Sequence, residues 1–269
     1  MAKNIKNVIA VGSGKGGVGK STVALNLALA LRYEGFKVGL LDSDIYGPSI
    51  PIMCGVKEGE KPTVAAGNRI VPLMRFEMPL MSMGFLLAQK EAVIWRGPML
   101  TKMLQQFLEQ VDWGELDYLV VDLPPGTGDV QISLAQMIPL SGAVVVTTPQ
   151  DVAMADVMRA IRMFEMTKVP LLGLVENMSY FEAPDTHKKY YLFGGGEDKS
   201  RYLKLGLDHL GELPLEIETR EGGDAGTPIV VKSPKSPQAQ RFVAIAKQVV
   251  VATQRLKASQ PELELPTLQ

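Results

Sequence analysis

Cysteine is almost missing from this chain: Cys54 is the only one in 269 residues. A single thiol excludes an intramolecular disulfide, and it excludes a four-thiolate metal site built from one copy. Histidine is nearly as scarce. His187 and His209 stand alone, which excludes a histidine-rich metal centre. An excess of charge of one sign is lacking too. Lys and Arg number 28 against 29 Asp and Glu, for a formal net charge of -1. That balance gives no sign of a nucleic-acid binder. Long apolar runs are absent as well. The longest near-apolar windows, such as Leu140 to Thr147, fall far short of the roughly 20 residues of a membrane span. The opening segment is basic, but its apolar run, Val8 to Val11, stops after four residues at Gly12. A secretory signal needs a longer stretch and a small-residue cleavage site. The expectation is a soluble protein of the reducing cytoplasm, with no membrane association.

What is present is ordinary globular composition, 46 % apolar and 21 % charged. Collagen-like, disulfide-scaffold and wholly disordered chains are thereby excluded. Short runs rich in Val and Leu recur at Val8–Val11, Lys37–Asp42, Leu119–Asp122, Ala143–Thr147 and Leu171–Val175. Continuously apolar runs of this kind are strands buried on both faces, covered by helices on either side of a parallel sheet. Helical spacing lies between them, at Ser21–Arg32, Pro98–Val111 and Val152–Met166. The alternation predicts a doubly wound α/β fold, a mostly parallel sheet flanked by helices. Residues 53–94 read as the least regular insert, with short strands at Arg69–Leu73 and Pro79–Met83. A last helix starts at a Ser236 cap with Pro237 in its first turn. One domain is expected over residues 1–258, followed by a loose, acidic, proline-bearing tail at 259–269.

The strongest signal is Gly14-Lys15-Gly16-Gly17-Val18-Gly19-Lys20-Ser21. It satisfies the phosphate-loop pattern, with a strand before it and a helix after it. The glycines let several backbone N–H groups turn inward at phosphate oxygens, and the helix start adds its own free N–H groups. Lys20 is expected to reach the β- and γ-phosphates, and Ser21 to ligate Mg²⁺. Thr22 completes the nucleotide-binding set. Lys15 is not demanded by the ordinary motif. A second lysine either crosses a dimer interface to stabilise charge on the transferred phosphoryl group or is a solvated lysine on the loop.

Carboxylates follow where a phosphate loop needs them. Asp122 ends an apolar strand before Leu123-Pro124-Pro125-Gly126-Thr127-Gly128-Asp129, facing the crevice where ligands bind in this fold. It is expected to serve Mg²⁺ and its water. Asp129 either fixes that mobile segment or caps the next helix. Asp42 and Asp44 end the second strand two residues apart. Asp44, further out, is expected to orient the attacking water, and Asp42 to support Mg²⁺. Such hydrolysis asks for positioning and charge, and little covalent chemistry.

With these motifs the chain resembles the Mrp/NBP35 branch of the deviant Walker A P-loop ATPases, relatives of MinD-like and ParA-like proteins. Asp42–Ser49, Trp95–Pro98, Asp122–Asp129, Thr148–Val152 and Glu176–Ser179 are similar to further motifs of that branch, over nearly the whole chain. The resemblance implies a cytoplasmic, Mg²⁺-dependent ATPase, slow without a partner, working as a homodimer that sandwiches ATP. It implies Lys15 acting across the interface and Asp44 as the water-activating residue. Asn177 becomes the adenine contact, with Pro214 and Leu215 beside the base. The catalytic set is then Lys15, Lys20 and Asp44.

The resemblance also implies iron–sulfur cluster binding and delivery to an apo-protein or assembly factor. The branch carries a Cys-x-x-Cys pair after the asparagine motif, where this chain has Ala183 and Thr186. Cys54 is then the one candidate thiolate, or a small buried hydrophobe. An alternative is an ATP-dependent regulatory or partner-loading protein that holds no cluster of its own. A small-molecule kinase would need an acceptor pocket with a base, and none is visible. Lys188, Lys189, Lys199, Arg201 and Lys204 read as a solvated basic face.

Overall fold

A computed structural model describes residues 4–87, 97–194, 196, 202 and 204–259. The chain starts with β1 (Val8–Gly12), buried at every position. After the glycine-rich loop come α1 (Lys20–Tyr33) and β2 (Val38–Asp42). A short α2 (Ile50–Met53) leads to a small antiparallel ladder, β3 (Thr63–Val64) with β4 (Ile70–Val71). Next are β5 (Leu73–Arg75), β6 (Met78–Ser82) and α3 (Gly84–Leu87). The alternating part follows as α4 (Gly97–Gln110), β7 (Tyr118–Asp122), α5 (Asp129–Met137), β8 (Gly142–Thr147) and α6 (Asp151–Met166). The chain then runs through β9 (Leu171–Glu182), β10 (Lys189–Tyr190), β11 (His209–Leu215), α7 (Ile217–Asp224), α8 (Ile229–Lys232) and α9 (Pro237–Ser259).

Among the described residues the main sheet runs β10-β9-β8-β1-β7-β2-β6-β5, with β11 also on β9. Its ladders are parallel except at the β5–β6 and β10–β9 pairs. The order makes β1 the switch point: the chain moves to one side through β2 and to the other through β8. Ligand crevices open at the carboxyl ends of strands at such a point.

Strand parity sorts the core into two layers. Ile9, Val11 and Leu40 face α1 and α9, among Leu27, Leu31, Phe242 and Val249. Val8, Ala10 and Leu41 face α4, α5 and α6, among Phe107, Leu134 and Phe164. This is the doubly wound architecture the apolar runs predict.

Some boundaries differ from expectation. Pro79–Met83 is the greater part of β6, a fully buried strand parallel to β2, and no mere appendage. Arg69–Leu73 is broken at Pro72, which has no N–H for a ladder, into β4 and β5. The fifth apolar strand does not stop at Val175 but runs to Glu182. Ser236 caps α9 as expected, accepting the Ala239 N–H at 3.2 Å. Trp95, Arg96, Lys199, Arg201 and residues 260–269 of the expected tail lie outside the described residues.

Candidate functional site

The loop after β1 is shaped by its glycines. Gly17 and Gly19 take φ of +79° and +78°, where side chains are strained. Gly14 is pressed against α6: a Cβ there would lie 2.8 Å from the Asp156 Cβ and would overlap the Asp156 carbonyl. A Cβ on Gly19 would overlap the Asn177 amide nitrogen. Asn177 braces the loop, donating its Nδ2 to the Val18 carbonyl at 2.8 Å. The other side is tied by the Gly126 N–H, which donates to the Ser13 carbonyl at 3.0 Å.

At the first turn of α1 the Lys20 ammonium sits 2.6 Å from Asp122 Oδ1, 3.6 Å from Asp44 Oδ2 and 3.3 Å from Ser21 Oγ. The sheet dictates this meeting. Asp42 and Asp122 are register partners on adjacent parallel strands. They follow Leu40 and Val120 on the α1 face, so both carboxylates point toward the start of that helix. Asp44 lies just beyond, where its Oδ1 accepts the N–H groups of Tyr46 at 3.2 Å and Gly47 at 3.3 Å. That turn leaves Oδ2 facing Lys20.

All three acids are buried, Asp44 the least. Asp42 has no exposure, and burial beside the Asp122 carboxyl pushes it up to about 8. It accepts from Ser82 Oγ at 2.8 Å and from the Asp44 N–H at 3.1 Å. In this geometry Asp42 braces the turn that carries Asp44. Asp122 is also raised by burial, with Lys20 pulling the other way, and its Oδ2 is buried without a hydrogen-bond partner.

Above this cluster lies a cleft of about 700 Å³. Lys15, Gly16, Gly17, Gly19, Lys20, Ser21, Thr22 and Asp44 line it, and so do Asn177, Pro214 and Leu215 from the sheet end. The structure thus brings together most of the residues singled out from sequence. Gly14 and Val18 stand behind the loop rather than in the cleft: Gly14 packs on Asp156, and Val18 is buried in the core. Lys15 reaches Gln150 Oε1 at 3.0 Å and Asp156 at 4.0 Å, with its side chain a third exposed.

Sequence reasoning missed the opposite wall. Thr219, Arg220, Gly223 and Asp224 line the cleft from α7, following Glu216, which the sequence already placed beside the base with Pro214 and Leu215. Their spacing of three and four places them on one helical face, a signal available in the sequence. Thr219 Oγ1 donates to Glu216 at 2.6 Å. Asp129 opens α5 in its first turn without a side-chain cap bond. Behind Asn177, the buried Glu176 accepts from Ser179 Oγ at 2.6 Å and from the Tyr202 hydroxyl.

Cys54 lies at the end of α2, 2 % exposed and among the core side chains that face α1. Burial pushes its thiol up to about 12. Of the two readings of Cys54, this burial agrees with the small buried hydrophobe. Ala183 and Thr186 sit in the hairpin between β9 and β10, closed by Ala183 N–H to Lys188 carbonyl at 3.0 Å and His187 N–H to Ala183 carbonyl at 2.9 Å. Among the described residues no three His, Cys, Asp or Glu side chains converge as a metal site. No helix among them is long and apolar enough to cross a membrane.

Comparisons with known proteins bear on this geometry. A ParA-type family model, described as NUBPL iron-transfer P-loop NTPase, matches residues 4–250. An iron-sulfur cluster carrier protein of Aquifex aeolicus is 54 % identical over 244 residues, covering 90 % of this chain and 67 % of that one. The iron-sulfur cluster transfer protein NUBPL of Dictyostelium discoideum is 50 % identical over 248 residues, covering 92 % and 77 %. Among solved structures, a nucleotide-binding protein of Archaeoglobus fulgidus in complex with ADP aligns with a TM-score of 0.76 at 40 % identity, covering 89 % of this chain and 93 % of that one. The septum site-determining protein MinD of Pyrococcus horikoshii, complexed with Mg-ADP, shares the fold, with a TM-score of 0.65 at 23 % identity and 90 % and 95 % coverage.

Proposed function

The chain belongs to the ParA-type family of NUBPL iron-transfer P-loop NTPases, and from that premise we propose that it is a Mg²⁺-dependent ATPase whose turnover serves iron–sulfur cluster transfer. The observation that carries this reading is Lys20, held between Asp122 and Asp44 at the floor of a phosphate-loop cleft.

The loop's backbone N–H groups and the start of α1 take the phosphates. Lys20 leaves Asp122 for the β- and γ-phosphate oxygens when ATP enters, exchanging one anion for another. Ser21 Oγ and the Asp122 carboxylate, with its orphaned buried Oδ2, are the hard oxygen donors that Mg²⁺ prefers, directly or through water. When bound, the ion supplies charge neutralisation across the transferring phosphoryl group. Asp44 accepts a hydrogen bond from the attacking water and orients it. Asn177, Pro214 and Leu215 receive the adenine. Lys15 is held on its own chain by a glutamine and a distant aspartate. Such weak holding suits a lysine that crosses to the nucleotide of a second copy. The working form is then a homodimer in the cytoplasm, with an iron–sulfur apo-protein or assembly factor as partner.

Phosphate release from MgATP tests the reading. Lys20→Ala and Asp44→Asn are each expected to lower the rate roughly 100-fold or more, and a chelator should abolish it. Hydrolysis that is indifferent to Lys20→Ala would refute it.

A further inference from the structure

We infer that the cluster this chain helps to move is ligated by thiolates of other polypeptides, and that the chain holds none on a cysteine of its own. The inference rests on the transfer reading above and adds where the ligands come from.

The usual iron–sulfur clusters are held by four cysteine thiolates. This chain has one cysteine, so two copies offer two. Neither is presented to a shared surface. The Cys54 N–H donates to the Ile50 carbonyl at 2.9 Å, closing α2. Its side chain is 2 % exposed, in the layer that contains Leu27, Leu31 and Ile50. Exposing it would mean unpacking α2, the element that carries Ile52 and Met53 to the nucleotide cleft. Burial also pushes the thiol well above its usual range, opposing the thiolate form.

Other donors do not fill the gap. Among the described residues no three His, Cys, Asp or Glu are grouped so as to hold a metal ion. The hairpin between β9 and β10 offers one pair, His187 Nδ1 at 3.3 Å from Glu182. The cluster therefore moves by ligand exchange between two other proteins. Each iron–thiolate bond broken on the donor is matched by one formed on the acceptor. The acceptor thiol's proton passes to the departing thiolate, and no electrons are transferred.

The test is anaerobic reconstitution of the full chain with ferrous iron and sulfide, followed by gel filtration. Wild type, Cys54→Ser and the apolar Cys54→Ala are compared for iron, sulfide and charge-transfer absorbance. The expected result is no cluster in any of them. Stoichiometric iron and sulfide on the wild type, lost in both variants, would overturn the inference. So would retention by all three, since that would reveal a non-cysteine ligand set. A second arm supplies a cluster-loaded scaffold protein as donor and a four-cysteine apo-ferredoxin as acceptor. Faster ferredoxin maturation with MgATP, absent in Lys20→Ala, is expected. A chain free of cluster and without effect on the ferredoxin would sink the transfer reading itself, an outcome distinct from the first.

Discussion

Gly55 and Gly226 meet backbone to backbone. A Cβ on Gly226 would lie 2.6 Å from the Gly55 nitrogen and would overlap its Cα. Gly55 follows α2, in the segment that continues from Asp44, and Gly226 follows α7, the wall carrying Thr219 and Arg220. Two sides of the nucleotide cleft thus lean on each other through a contact that no side chain can enter.

Gly226→Ala should therefore destabilise the protein by about 2–4 kcal/mol, through strain plus overlap with immovable backbone. Gly59→Ala is the control. Gly59 also has positive φ, +87°, but nothing lies within 4 Å of its Cβ position. Only the strain remains there, about 1 kcal/mol. Urea unfolding of both variants separates the contact from the backbone conformation, and equal losses would show that the glycine–glycine contact contributes nothing.

Removing the Lys20 charge should affect folding as well as chemistry. Lys20 and Asp122 are both buried, at 2.6 Å. Lys20→Met strands a carboxylate among Asp42 and Asp44, a loss of about 3 kcal/mol if Asp122 stays ionised. Lys20→Met with Asp122→Asn should recover most of that stability and none of the ATPase activity. Thermal melting and phosphate release together check the split. A double variant no more stable than the single would refute the pairing.

Asp42 makes stability depend on pH with a definite sign. Its carboxyl is raised to about 8 in the folded chain by burial and by Asp122, against roughly 4 when unfolded. The folded state therefore holds the proton more firmly across that window. The contribution is fully present below about pH 4 and is lost as pH rises toward 8. Asp42→Asn should flatten this decline, gaining on the wild type as pH increases. Melting temperatures from pH 5 to 9 decide it, and parallel curves would show that Asp42 does not titrate there.

Much of this was legible in the sequence because apolar runs and loop chemistry are local signals. Val8–Val11 before Gly14–Ser21 predicts a strand, a phosphate cradle and a helix, and β1 and α1 stand there. Asp122 and Asp44 were legible as strand-end acids. What escaped was decided by distant neighbours. The sequence separates Asp42 from Asp44 only by distance along the chain, whereas the β2–β7 register sets Asp42 beside Asp122 and leaves Asp44 at the cleft. The far half of β9 carries Glu176, Asn177 and Ser179, too polar to read as a buried strand. Their partners, Val18 and Tyr202, come from elsewhere in the chain. α7 escaped because its polar face reads as solvated until the cleft opposite is known.

Asn177 offers the sharpest separation of two roles. Its expected task is adenine recognition, and an amide both donates and accepts as a base edge requires. One of its Nδ2 hydrogens already goes to the Val18 carbonyl at 2.8 Å, so the side chain also holds the phosphate loop in shape. Asn177→Ala should therefore weaken binding of ATP, by about 10-fold for the loss of one buried hydrogen bond. It should also weaken inorganic tripolyphosphate, which has no base to recognise. A base contact alone would leave tripolyphosphate affinity untouched. Asn177→Asp should be worse than alanine for both ligands, because a carboxylate would face the Val18 carbonyl and the phosphates with the wrong sign. Calorimetric titration of both ligands against the three proteins measures each arm. If only ATP is weakened, the Asn177–Val18 bond is incidental, and the loop keeps its shape through Gly17, Gly19 and the Ser13–Gly126 tie alone.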